Sequence, residues 1–421
     1  MKNLFAAGLI GALAFTVASA QRGGTAPPAC DPDNGGLKLP AGFCALVVAT
    51  DLGTARHLAV ASNGDLYVSL QRGGAAVVAL HDANGDGRYE VKERFGSSAG
   101  ATGITLRNGY LWYATPTTIE RYKMTPGQLK PSGAAEVIVT GLPMQQQHQD
   151  KTVAFDGKGS LYVNIGAPSN ACQEKDRTAG SKGQDPCPLL AEHGGIWRFD
   201  ENKAGQTLSQ GTRFATGLRQ MPALTWHDDA LFIVMNNRDQ LNMFPGFTPE
   251  DNAERPAEPM YKATAAGANF GWPYCFFDYG QKKLLLNPEY GGDGKTVGRC
   301  TQFEQPVASF PAHWAPVDVT FYGGTQFPAK YRNGAFIAFH GSWNRSPMPQ
   351  DGYNVTFQPF ANGKPSGMFE IFATGFAGTD RLMQPGNAVA RADGVAEGPD
   401  GSLFIADSQK GKVWRVLYTG R

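Results

Sequence analysis

Beyond residue 20 the 421-residue chain has no apolar run long enough to cross a bilayer. It carries no CxxC pair and no His/Cys cluster at zinc spacing, which argues against a structural zinc. It has no CxxCH motif, so no covalently attached haem is expected. Charge of neither sign prevails. The formal net charge is +1, which points away from nucleic acid and membrane surfaces as partners. A sustained helical period is also missing. What is present is abundant Gly (53) and Pro (28) between segments that alternate polar and apolar residues. That is the composition of many short strands joined by turns.

The N-terminus adds a compartment. Met1-Lys2-Asn3 gives a short positive start, Leu4 to Val17 an apolar run of signal-peptide length, and Ala18-Ser19-Ala20 a small-residue cleavage site. Residues 1–20 are expected to be a secretory signal, residues 21–37 a Gly/Pro-rich lead-in, and residues 38–421 one domain. No Cys follows the cleavage site, so a lipid anchor is not expected there. Export makes disulfides the default for the six Cys, and a Gram-negative periplasm is the expected location. The spacing alone does not fix connectivity. The near-neighbour pairs Cys30–Cys44, Cys172–Cys187 and Cys275–Cys300 are the expected ones. Each would staple a loop, worth roughly 3 kcal/mol for about 15 residues in the chain-entropy picture.

One frame recurs along the chain. It reads Asn63-Gly64-Asp65-Leu66-Tyr67-Val68 and returns as Asn108-Gly109-Tyr110-Leu111-Trp112-Tyr113 and Lys158-Gly159-Ser160-Leu161-Tyr162-Val163. A weaker copy is Asp228-Asp229-Ala230-Leu231-Phe232-Ile233. Two more are Asn333-Gly334-Ala335-Phe336-Ile337-Ala338 and Asp400-Gly401-Ser402-Leu403-Phe404-Ile405. Each follows a short apolar strand, so each reads as a β-hairpin. Self-similarity at roughly 45–50 residues, stretched by insertions in the fourth and fifth units, is the sequence signature of propeller blades. The expected fold is all-β, a six-bladed β-propeller.

A propeller also predicts where function sits. Residues about ten to thirteen positions before each frame Leu should face the mouth of the central channel. They include Arg56, Ala101, His148, Lys151, Arg219 and Arg391. So many basic groups at equivalent positions suggest a small anionic ligand on the axis. The long loops over residues 236–330, with Asn236-Asn237-Arg238-Asp239 and Asn269-Phe270-Gly271-Trp272-Pro273-Tyr274-Cys275, are expected to help build that site.

Several stretches in order carry a family resemblance. They are Leu39-Pro40-Ala41-Gly42-Phe43, His148 with Lys151, Gly166-Ala167-Pro168-Ser169-Asn170-Ala171-Cys172, and Gly217-Leu218-Arg219-Gln220. Further on come Asn237-Arg238-Asp239, Phe270-Gly271-Trp272-Pro273-Tyr274-Cys275, His340-Gly341-Ser342-Trp343-Asn344-Arg345-Ser346 and Pro399-Asp400-Gly401-Ser402-Leu403-Phe404. The chain resembles the soluble pyrroloquinoline quinone (PQQ)-dependent sugar dehydrogenases, and within them the L-sorbosone-dehydrogenase-like branch. The resemblance covers essentially the mature chain, and His-Gly-Ser-Trp-Asn-Arg is its most specific piece.

The resemblance implies a six-bladed propeller with PQQ and one Ca²⁺ at the channel mouth. It implies His148 as general base and Arg219 on the quinone side of PQQ, with Gln220 standing where the family usually has Asn. It implies Ca²⁺ held by backbone carbonyls of Asn237, Arg238 and Asp239. Arg391 would meet PQQ carboxylates, with Lys151 and Arg345 near the site and Trp343 at its edge, as packing or a stacking wall. Asp393 stands where glucose-oxidising members carry a second Arg. His57, His81, His193, His227 and His313 read as structural.

The implied activity is oxidation of an aldose or sugar aldehyde, sorbosone included, with a separate electron acceptor. His suits the base because its ordinary pKa lies near working pH. Two other readings stay open on the sequence. One is a Ca²⁺ lactonase-type hydrolase, disfavoured by basic residues where such enzymes place carboxylates and amides. The other is a non-catalytic propeller that binds a ligand or partner. Separately, Asp82-Ala83-Asn84-Gly85-Asp86-Gly87 with Glu93 at the twelfth position satisfies a Ca²⁺-loop pattern. The ligands for this second Ca²⁺ would be Asp82, Asn84, Asp86 and Glu93. The competing reading is a hairpin turn within a blade.

Overall fold

The computed structural model describes residues 28–420. The expected signal segment and the first part of the lead-in lie outside the described residues. The architecture is six four-stranded antiparallel sheets arranged as the blades of a β-propeller. One short α-helix, Pro249–Glu254, is present among the described residues.

Blade I runs through Ala55–Val60, Leu66–Leu70, Val77–His81 and Val91–Phe95. Blade II runs through Ile104–Arg107, Tyr110–Ala114, Ile119–Lys123 and Glu136–Thr140. Blade III comprises Val153–Phe155, Ser160–Ile165, Gly195–Asp200 and Thr212–Thr216. Blade IV comprises Gln220–His227, Ala230–Asn236, Glu258–Ala263 and Ala308–Phe310. Blade V comprises Pro316–Phe321, Ala335–His340, Tyr353–Gln358 and Glu370–Ala373. Blade VI takes Ala392–Glu397, Leu403–Asp407 and Val413–Tyr418 from the end of the chain and Phe43–Ala49 from its start. Ala45 opposite Val416 and Cys44 opposite Leu417 fix the register of this closure. It joins the two ends of the chain in one sheet and removes the edge that an open ring would expose.

All six frames fall on the turn between the first and second strand of a blade. The turns explain the frame. Asn108 and Gly109 have φ of 51° and 76°, the two left-handed positions of a tight hairpin, and Asp228 and Asp229 do the same at 46° and 56°. Second strands are buried on both faces because each blade packs between two others. Leu66–Leu70 and Leu403–Asp407 are buried at every position. Core clusters therefore lie between blades. Between blades V and VI, Phe43 meets Phe327 edge-on at 4.8 Å and Phe372 at 5.0 Å. Such pairs add about 0.5–1.5 kcal/mol beyond burial.

The insertions act as latches. Gln206–Thr207 adds a parallel strand to blade II, and Ala268–Asn269 adds one to blade III. The three disulfides pair Cys30–Cys44, Cys172–Cys187 and Cys275–Cys300, as expected from proximity in sequence. The described part of the lead-in is tied to blade VI. Asp31 Oδ2 accepts from Val47 N at 2.7 Å, and Trp414 Nε1 donates to Gly35 O at 3.0 Å.

Candidate active site

The first strand of each blade starts at one mouth of the channel, and four of these strands open with a register shift. The shifts fall between Ala55 and Leu58, Gln220 and Ala223, Pro316 and Asp318, and Ala392 and Gly394. A bulge turns side chains off the regular pleat. Here the shift contains Arg56 and directly follows Arg219 and Arg391. The mouth holds a cavity of about 340 Å³ whose walls come from blades I, III, IV and V.

His148 stands on its wall in an irregular segment, at φ 56°. Its Nδ1 lies 2.6 Å from the carbonyl of Ala167. A carbonyl only accepts, so Nδ1 carries the proton and Nε2 keeps a free lone pair. Burial, followed by the charge of Arg219, pushes the imidazole pKa down to about 3, so it is neutral across the ordinary pH range.

Asp239 is the electrostatic hub opposite. Its Oδ2 accepts from Arg219 at 2.5 Å and Arg177 at 3.0 Å, and its Oδ1 from Asn344 at 2.7 Å. Burial alone would raise its pKa, but Arg219, His313 and Arg177 hold it well below the usual carboxylate range. A second network forms the floor. Arg56 bridges Asp150 at 3.0 Å and Asp393 at 2.9 Å, and Asp150 also accepts from Gln71 and Thr102. Burial outweighs Arg56 at Asp393 and raises its pKa to about 6. The residue in place of a second arginine thus neutralises Arg56 from the neighbouring blade. Glu258, which accepts from the backbone N–H of Asn237 and Ala315, is pushed up to about 8 by burial.

The cavity wall includes eight of the expected residues: Arg56, His148, Arg219, Gln220, Asn236, Asn237, Asp239 and Trp343. Trp343 is 55% exposed at the rim. Others stand behind the wall, each for a local reason. Lys151 is fully buried, and its Nζ donates to Gln149 O at 2.7 Å. Arg391 donates to His340 Nδ1 at 3.0 Å and to Pro385 O at 3.0 Å. Arg345 is taken up by Glu254 and by the carbonyl of Ala253. The guanidinium of Arg238 is buried against Glu289 at 2.6 Å and Asn287 at 2.9 Å. Ala101 is buried off the cavity. The Phe270–Cys275 stretch lines nothing itself. It supports the wall, because Trp272 Nε1 donates to Asn170 O at 2.9 Å.

Other wall residues carry no assigned role in the sequence: Arg177, Asp150, Glu258, His340 and Asn344. Arg177 could have been suspected only from its place inside the Cys172–Cys187 loop. His313, a structural residue on the sequence, also belongs to the wall. Its Nε2 donates to Asn252 O at 2.6 Å.

The donor set suits a polyanionic ligand and a hard cation. Arg56 Nε, Arg219 Nε, Gln220 Oε1 and Asn344 Oδ1 are buried and have no hydrogen-bond partner among the described residues. All four belong to the cavity wall. The carbonyls of Asn237 and Arg238 accept no hydrogen bond from the described residues, whereas that of Asp239 accepts from Asn170 Nδ2. Such carbonyl oxygens are the ligands Ca²⁺ takes.

The candidate second Ca²⁺ loop needs a correction. Oxygens of Asp82, Asp86 and Glu90, rather than Glu93, lie within 4.8 Å of one another. Glu93 has left along the strand Val91–Phe95 and pairs with Lys130 at 3.4 Å. Here the chain leaves the loop as a strand, not as the helix of the EF-hand pattern. Asn84 stays in the loop, its Nδ2 donating to Glu90 at 2.6 Å.

Comparisons with known proteins give the family. Among curated proteins the chain is 32% identical over 275 residues to an uncharacterized protein of Borreliella burgdorferi, covering 65% of this chain and 61% of that one. It is 26% identical over 239 residues to a pyrroloquinoline quinone-dependent pyranose dehydrogenase of Coprinopsis cinerea, covering 50% of this chain and 31% of that one. The matched parts thus span less than two thirds of either relative. Among solved structures it is similar to the holo form of the pyranose dehydrogenase PQQ domain from Coprinopsis cinerea, with a TM-score of 0.72, 18% identity, and coverage of 90% of this chain and 97% of that one. It matches the calcium structure of a Trichoderma reesei carbohydrate-active enzyme of family AA12 equally well, with a TM-score of 0.72, 18% identity, and coverage of 91% and 97%. At such identities the likeness is one of fold. The family model described as TrAA12-like matches residues 37–419, and the chain belongs to that family.

Proposed function

We propose that the protein is a PQQ- and Ca²⁺-dependent dehydrogenase that oxidises an aldose or sugar aldehyde. The observation that carries this reading is His148. It is a neutral imidazole whose tautomer is set by Ala167, in a cavity where buried guanidinium N–H groups lack partners. The curated pyranose dehydrogenase that the chain resembles is named for PQQ dependence, and the Trichoderma relative was solved with calcium.

Arg219 and Arg56 are the wall groups that would hold the carboxylates and quinone oxygens of PQQ, with Gln220 and Asn344 beside them. The carbonyls of Asn237 and Arg238 would hold Ca²⁺. When bound, PQQ supplies a two-electron acceptor and Ca²⁺ a Lewis acid. The chain's own part is to bind and orient the sugar and move its proton. His148 Nε2 takes the hydroxyl proton as the C–H bond of the same carbon breaks. Arg219, fixed by Asp239, stabilises negative charge developing near it. Amide side chains also line the wall: Gln71, Gln146, Gln149, Gln220, Asn236, Asn237 and Asn344. Amides donate and accept at once, which suits a neutral polyhydroxylated substrate.

A lactonase-type hydrolase fits less well, since the Asp239 and Asp150 carboxylates are already engaged by arginines. Electrons leave to a separate acceptor, and the chain acts after export. Among the described residues no helix is long and apolar enough to cross a membrane. The test is dye reduction by purified protein supplied with PQQ, Ca²⁺ and a panel of aldoses and L-sorbosone. Activity dependent on both additions supports the proposal, and failure to bind PQQ removes it in favour of a ligand-binding propeller.

A further inference from the structure

One side chain beneath His148 gathers the segments that hold it. Gln145 is 7% exposed, and its Nε2 lies within hydrogen-bond distance of three carbonyls. These are Gln147 O at 2.7 Å, His148 O at 2.9 Å and Gly166 O at 3.0 Å. Two of these groups belong to the segment that carries the imidazole. The third immediately precedes Ala167, the residue whose carbonyl receives the Nδ1 proton. A single amide thus joins both sides of the imidazole's anchor.

The segment needs such a tie. Between Thr140 and Val153 the chain has no regular element, and His148 sits at φ 56°, where a non-glycine residue is strained by roughly 1–2 kcal/mol. The two chains also touch closely. A Cβ at Gly166 would lie 2.5 Å from His148 O and 2.7 Å from Gln220 Oε1. Gln145 Oε1 has no partner among the described residues, so this side chain serves as a donor.

We propose that Gln145 is a positioning residue for the reaction: it holds the His148 segment against Gly166 and Ala167, so that Nδ1–H stays on Ala167 and the Nε2 lone pair faces the cavity. The inference rests on the dehydrogenase reading for its catalytic consequence and on geometry alone for its structural one.

The test uses Gln145→Met, which keeps length and volume but removes both N–H donors. In ¹⁵N-histidine-labelled protein without added quinone, wild-type His148 is expected as the neutral Nδ1–H tautomer with a depressed titration. In Q145M it is expected as mixed tautomers titrating closer to 6.5, the ordinary imidazole value. With PQQ and Ca²⁺ added, kcat should fall about 10- to 100-fold, while PQQ affinity stays within about twofold of wild type. A folded Q145M with unchanged His148 spectra and kcat overturns the proposal. So does an equal loss of PQQ affinity and kcat, because Gln145 would then shape the whole cavity. If Q145M does not fold, Gln145→Glu replaces it. That variant should lose activity at neutral pH and regain part of it at lower pH, as its carboxyl recovers one donor, and a flat profile at wild-type level overturns the proposal. Wild-type protein that never turns over with PQQ defeats the dehydrogenase reading, while the spectra still decide the role of Gln145.

Discussion

The side chain of Asn170 closes on both backbone groups of Asp239: its Nδ2 donates to Asp239 O at 2.9 Å, and its Oδ1 accepts from Asp239 N at 2.9 Å. This clamp ties the segment just ahead of the Cys172–Cys187 loop in blade III to the loop that follows the second strand of blade IV. The proposed Ca²⁺ carbonyls lie in that second loop. Asn170→Ala leaves the buried N–H of Asp239 without a partner and its carbonyl with Arg238 Nη2 alone, at 3.2 Å, at a cost of about 1–3 kcal/mol. Ca²⁺ affinity, measured by calorimetry in the presence of PQQ, is expected to fall about tenfold or more. Unchanged affinity would separate this loop from the metal.

His148→Ala should lower kcat by about 10²- to 10⁴-fold, the usual worth of a positioned base. PQQ binding, followed by absorbance, should remain. The pH dependence has a definite sign. Because the folded imidazole is pushed down to about 3, its neutral form persists as pH falls from 8 to 5. The profile of kcat/KM for the free enzyme should therefore show no acidic limb near 6.5. A limb there that disappears in H148A would mean that the imidazole is freely solvated.

Asp393 gives a second pH prediction. Burial raises its pKa from 3.8 to about 6, so its contribution to stability is fully present below pH 3.8 and is lost as pH rises through 6. The span corresponds to about 3 kcal/mol. Asp393→Asn, neutral at every pH like the protonated carboxyl, should match wild type at low pH, be more stable than it near neutral pH, and flatten the change between pH 4 and 7. Urea unfolding across that range measures it. A wild-type stability that rises through the window contradicts the assignment.

The Cys172–Cys187 disulfide closes a loop with a sequence separation of 15. Arg177 within it reaches Gln147 at 3.0 Å, Asp239 at 3.0 Å and Gln240 at 3.0 Å. Replacing both cysteines by Ser should destabilise the protein by about 3 kcal/mol and weaken PQQ binding more than removal of Cys275–Cys300 does. Equal effects from the two disulfides would assign the Arg177 loop a purely structural role.

The fold was legible because the hairpin frame depends on local chemistry. Left-handed turn residues followed by a short apolar strand recur between the first and second strands of each blade. His148 and Arg219 were legible from their place ahead of a first strand, and Gln220 from the family resemblance. What escaped was decided by side-chain reach and by partners distant in sequence. Arg391 is long enough to turn back onto His340 and Tyr353, and Lys151 reaches only the carbonyl two residues before it. Gln145 and Arg177 gain their roles from contacts with residues about 20 and 60 positions away. Glu93 lies away from the Asp82 loop because a strand, rather than a helix, carries it off.

The most direct test of the account is reconstitution. Protein stripped with a chelator is titrated with PQQ in the presence and absence of Ca²⁺, and dye reduction is followed with neutral aldoses, L-sorbosone and an anionic sugar acid. The account predicts stoichiometric PQQ binding that needs Ca²⁺, and dye reduction by neutral sugars that is lost in H148A. Absence of PQQ binding at micromolar protein, or full turnover in H148A, would contradict it.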